Sequence, residues 1–133
     1  DVDVTIFGYK PGEVPQIGVR EFVADEKLVA LAKAACEKVN PDIHAVIGRV
    51  VSGDQFISGN EIKEKLIREY QGDCAEMEGA SIAHGAFLNG IPFVIIRAIS
   101  DKADNSAQMD YPQFETAAAK HSAALVEELV GQL

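Results

Sequence analysis

Positive charge is scarce in this chain: 12 Lys and Arg stand against 21 Asp and Glu, a formal net charge of −9. Phosphate contacts need clustered Lys and Arg, so nucleic acid and anionic membrane surfaces are excluded as expected partners. Cysteine is nearly absent. Cys36 and Cys74 are far apart and show no CxxC or Cys/His ligand spacing, so the expectation is two reduced thiols in a cytoplasmic protein, with no metal site. No apolar run approaches the ~20 residues of a membrane span, and no secretory signal pattern opens the chain. The GxGxxG, Walker A, GxSxG and HExxH signatures are missing too, so no cofactor is expected. Repeats, low-complexity tracts and internal linkers are likewise absent.

What is present suits one globular domain. The 133 residues are 47% hydrophobic and 25% charged, and a chain of this size buries roughly two thirds of its surface. The opening DVDVTIFGY has no initiator Met, and Val2, Val4 and Ile6 alternate, which predicts a strand already under way in a chain that is processed or belongs to something longer. Asp25 is placed to cap a helix carrying Leu28, Leu31, Ala32, Ala35 and Val39, which Asn40-Pro41 stops. HAVIGRVVSGD predicts a buried strand, and EIKEKLIREY a helix capped by Ser58 or Asn60. A short strand at Cys74–Glu76 leads into a helix rich in small residues that Asn89-Gly90 ends in a left-handed cap. FVIIRAI predicts a strand covered on both faces. A last helix begins near Pro112 and reaches about Leu133, with Phe114, Ala117, Ala118, His121, Leu125, Leu129 and Val130 inward. Strands alternating with helices predict an α/β fold, three layers α/β/α around a mixed, mainly parallel central sheet.

In such sheets ligands bind beyond the carboxyl ends of the strands. Three predicted strands end in chemistry-bearing stretches: Ser52-Gly53-Asp54 with Phe56 beyond, Glu76-Met77-Glu78, and Ser100-Asp101. Side by side, these ends would line a pocket with carboxylates and one aromatic ring, and a partly dry pocket would raise the pKa of Asp101 until it can donate a proton. Each element also has a bland reading. Asp101 could cap the next helix, Glu76 could be a plain strand residue and Glu78 a first-turn residue facing the helix dipole, and Phe56 could be core. His84 and His121 read as packed or solvent-edge histidines, since no metal-ligand spacing connects them.

Three motifs in order, VSGDQFI, AEMEGASIAH and RAISDKAD, closely resemble the bacterial 5′-methylthioadenosine/S-adenosylhomocysteine nucleosidases of the nucleoside phosphorylase/hydrolase superfamily. The similarity runs from the opening residues to the last helix. The resemblance implies that this enzyme hydrolyses the N-glycosidic bond of those two nucleosides, with Asp101 protonating adenine N7 and Ser100 beside it. It further implies that Glu78 and the Met77 backbone hold the ribose hydroxyls, with Glu76 in the same polar cluster and Arg97 as its charge partner. Phe56 would stack on adenine while the Ile57 backbone meets the purine edge. Tyr111 would wall the 5′-alkylthio group, and Phe7 would reach the neighbouring subunit's pocket across a homodimer.

Family members carry a further N-terminal part with the first sheet strands and the glutamate that activates water. Residues 1–133 are therefore expected to be the C-terminal part of a single nucleosidase domain, inactive alone and partnered by that N-terminal segment. The alternatives are a phosphate-dependent nucleoside phosphorylase, a futalosine-type hydrolase and a non-catalytic nucleoside-binding fragment. Hexameric purine phosphorylases have an Arg shortly after the catalytic Asp; SDKADNSAQ offers Lys102 and no Arg, which favours the nucleosidase.

Overall fold

Asp25 does what its position predicts. In the computed structural model, which describes residues 4–100 and 111–133, its backbone is extended and its carboxylate accepts from the amides of Lys27 and Leu28, both at 3.0 Å. Two of the unpaired amides that any helix start exposes are thereby satisfied, and helix α1 runs Glu26–Val39. Ala32, Ala35 and Cys36 are buried on one face. Against them lies the last helix, α4 (Tyr111–Val130), which contributes the buried Leu125 and Leu129. The small alanines permit that approach. At the far end of α1, the buried Asn40 donates from Nδ2 to the His121 carbonyl at 3.1 Å and ties the two helices together.

The middle of the chain is a β–α–β unit. Strand β1 (Val50–Ser52) pairs in parallel with β2 (Cys74–Glu76), in the register Val50↔Cys74, Val51↔Ala75 and Ser52↔Glu76. Helix α2 (Asn60–Tyr70) makes the crossover that a parallel pair requires. Arg49 clamps its exit: the guanidinium donates to the Tyr70 carbonyl at 3.0 Å and pairs with Glu21, also at 3.0 Å. Next comes α3 (Gly79–Leu88), which packs on β1 and ends where Gly90 takes a left-handed φ of 64°. The amide of Ile91 then returns to the Ala86 carbonyl at 2.9 Å, closing the helix as Asn89-Gly90 predicts.

Helices with a parallel sheet are the predicted class, but several local expectations are corrected. Thr5–Phe7 form a turn of 3-10 helix closed by Gly8 at φ 89°, in place of a continued strand. Of HAVIGRVVSGD, Val50–Ser52 alone enter the ladder, and residues 91–100 enter none among the described residues. A ladder needs a strand alongside to pair with, and β1–β2 is the one ladder among the described residues. Val46, Ile47 and Ile99 are accordingly more than half exposed. Residues 93–97 still keep a strand's alternation: Val94 and Ile96 pack on the α1–α4 core, while the Phe93 carbonyl accepts from the Asp25 amide at 2.9 Å. Helix α2 is capped by neither Ser58 nor Asn60; Gly59 occupies the cap position and Asn60 is the first helical residue. The inner stripe of α4 excludes Ala117, His121 and Val130, all exposed, and its buried members are Leu125 and Leu129.

Candidate functional site

Because β1 and β2 are parallel and in register, their carboxyl ends emerge together. Gly53 donates to the Glu76 carbonyl at 3.1 Å, so the loop carrying Phe56 and Ile57 departs beside the Met77–Glu78 turn. That juxtaposition joins two of the three predicted strand ends.

Glu76 anchors the site. Its side chain is 1% exposed. One carboxylate oxygen accepts from the Glu78 amide at 3.0 Å and the Gly79 amide at 2.7 Å. The other accepts from the Ser52 hydroxyl. A carboxylate inside a protein is costly unless it is hydrogen-bonded and charge-balanced. Here burial pushes its pKa up, but the Ser52, Glu78 and Gly79 donors and the Arg97 guanidinium outweigh it, and the carboxyl titrates below the usual glutamate range.

Arg97 links this buried group to an open one. Its Nη1 lies 3.6 Å from Glu76 and 3.4 Å from Glu78. Glu78, unlike Glu76, is 62% exposed at the side chain. A solvent-facing carboxylate held at one oxygen by a guanidinium keeps acceptor capacity for incoming hydroxyl donors. Beside it, the Cys74 thiol is pushed up by burial; Arg97 opposes that, while Glu76 and Asp73 add to it.

The predicted site residues divide clearly. Glu76, Glu78 and Arg97 form one cluster, with Met77 between them at 45% exposure. Phe56 projects from the adjoining loop, 58% exposed, and Ile57 is half-buried after it. Ser100 is half-buried at the end of the segment that carries Arg97. Phe7 lies on the 3-10 turn and is 77% exposed. Asp101 lies outside the described residues, and so does the side chain of Tyr111, the first residue of α4. Sequence reasoning places Ser52 at a pocket-lining strand end but gives it no role of its own; the structure makes it a donor to Glu76. Among the described residues no group of His, Cys, Asp and Glu could hold a metal ion, and no helix is long and apolar enough to cross a membrane.

Residues 1–131 match the phosphorylase superfamily. Among solved structures, the chain is similar to futalosine hydrolase of Helicobacter pylori, at 35% identity and a TM-score of 0.88, covering 100% of this chain and 56% of that one. It is also similar to a 5′-methylthioadenosine/S-adenosylhomocysteine nucleosidase of Colwellia psychrerythraea solved with adenine, at 36% identity and a TM-score of 0.87, covering 100% and 55%. The corresponding nucleosidase of Neisseria meningitidis, bound to methylthio-immucillin-A, matches at 39% identity and a TM-score of 0.86, covering 100% and 57%. The fold is therefore nucleoside phosphorylase-like, and the chain spans little more than half the length of these proteins.

Proposed function

The chain belongs to the phosphorylase superfamily, and from that membership we propose that it forms part of an enzyme hydrolysing the N-glycosidic bond of 5′-methylthioadenosine and S-adenosylhomocysteine. The observation that carries the reading is the Glu76–Arg97–Glu78 cluster at the carboxyl ends of two parallel strands, beside the loop bearing Phe56. It is where an open α/β sheet receives its ligand.

Glycosidic cleavage passes through an oxocarbenium-like state, so an enzyme gains by protonating the departing base and by holding carboxylate charge near the sugar. In this proposal Glu78 and the Met77 backbone grip the ribose hydroxyls, with Arg97 and Glu76 behind them. Phe56 stacks on the purine, and the Ile57 backbone bonds its edge. Asp101, with Ser100 beside it, delivers the proton to N7. Tyr111 flanks the 5′-alkylthio group, and Phe7 serves the pocket of a second subunit in a homodimer. The group that activates water comes from a segment N-terminal to these residues.

Asp101→Asn in the complete enzyme tests the assignment. Base release should fall by about 10²–10⁴-fold, the usual worth of a general acid, with little change in KM. An unchanged rate would refute it. A second reading, a futalosine hydrolase, is favoured by the match to the H. pylori enzyme at 35% identity. Base release from each of the three nucleosides separates the two readings, and a requirement for phosphate would point instead to a phosphorylase.

A further inference from the structure

Helix α3 starts in an unusual way. Glu78 occupies its cap position, yet the Glu78 side chain makes no capping hydrogen bond. Three amides at the helix start are satisfied from elsewhere. Glu76 takes those of Glu78 and Gly79, and the Ser52 hydroxyl oxygen takes that of Ala80 at 2.8 Å while its proton goes to Glu76. A helix start needs such acceptors, and a carboxylate there is further favoured by the helix dipole. The side chain in the cap position is the usual provider.

We infer that Ser52 and Glu76 are positioning residues that cap α3 in place of Glu78, so that the Glu78 carboxylate is kept off the helix end and available to substrate. The geometry fits this division of labour. The side chain that caps is 1% exposed, and the one occupying the cap position is 62% exposed and turned toward Arg97. Ser52 also joins the two halves of the site, since it ends β1 just before the Phe56 loop and bonds the first turn of α3. The inference rests on the proposal that Glu78 grips the ribose.

Ser52→Ala in the complete enzyme is the test. With its acceptor gone, the Ala80 amide would draw the Glu78 carboxylate onto the helix end. A crystal structure of the variant should show Glu78 turned onto Ala80; Glu78 still beside Arg97 overturns the inference, whatever the activity. In kinetics, KM should rise by roughly 10- to 100-fold, the worth of one charge-assisted hydrogen bond, with kcat nearly unchanged. Ser52→Thr, which keeps the hydroxyl, should restore KM. The double variant Ser52→Ala/Glu78→Ala should bind substrate no worse than Glu78→Ala, because the serine acts through the glutamate. Additive losses, or a fall in kcat alone, would overturn it. If Glu78→Ala leaves KM unchanged, the ribose assignment fails, while the position of Glu78 in the Ser52→Ala crystal still decides the capping claim.

Discussion

Two glycines of one helix should respond in opposite ways to the same substitution. Gly79 opens α3 and is buried; Gly85 lies further along and is exposed. A Cβ on Gly85 would meet nothing within 4 Å. On Gly79 it would stand 2.9 Å from one carboxylate oxygen of Glu76 and 3.1 Å from the carboxyl carbon and the other oxygen. That carboxylate cannot swing aside freely, because Ser52, Glu78 and Gly79 all donate to it. Alanine is favoured over glycine within a helix by up to ~1 kcal/mol, and less at the first position. Against this, overpacking a filled site costs ~1–3 kcal/mol. Disturbing a charge-assisted hydrogen bond adds ~1.5–3 kcal/mol. Gly79→Ala should therefore destabilise by about 2 kcal/mol or more, while Gly85→Ala should be neutral or stabilise by up to ~1 kcal/mol. Urea unfolding with a common slope reads both, and at ~1–3 kcal/mol per molar the Gly79→Ala midpoint should drop by roughly 1 M. Equal midpoints for the two variants, or a more stable Gly79→Ala, would refute the claim that Glu76 is pinned.

Removing the α1 cap with Asp25→Ala should cost about 1 kcal/mol, because two amides lose their acceptor; Asp25→Asn should recover most of it in thermal unfolding. The depressed pKa of Glu76 makes stability depend on acid. The folded protein holds this proton less tightly than the unfolded chain, so the contribution is full above the ordinary glutamate value of ~4.3 and is lost as pH falls through the lower folded value. Stability measured downward from pH 5 should therefore fall more steeply in the parent than in Glu76→Gln, and parallel curves would contradict the assignment. The raised pKa of Cys74 predicts slow alkylation by iodoacetamide at pH 8 compared with a free thiol, and a rate equal to the free thiol's would contradict it.

Which features were legible in advance follows from how local their causes are. The α1 cap could be read because an Asp and the amides two and three residues on settle it among themselves, and Gly90 because a left-handed φ is a property of one residue. Strands are different. FVIIRAI has the composition of a central strand and the alternation to match, with Val94 and Ile96 on the helical core, yet a ladder is made by whatever lies alongside, and no spelling of seven residues contains that. The site shows the same division. That Glu76 and Glu78 share a strand end is readable from their spacing, and the resemblance places both in one polar cluster at the substrate. Their opposite environments were not readable, since one is buried by a helix start and by a serine 24 residues earlier in the chain, and the other is left open. Two identical side chains two residues apart thus take different work: the acceptor needed by the backbone is drawn inside, where burial strengthens its bonds, and the acceptor left outside is the one a ligand can reach.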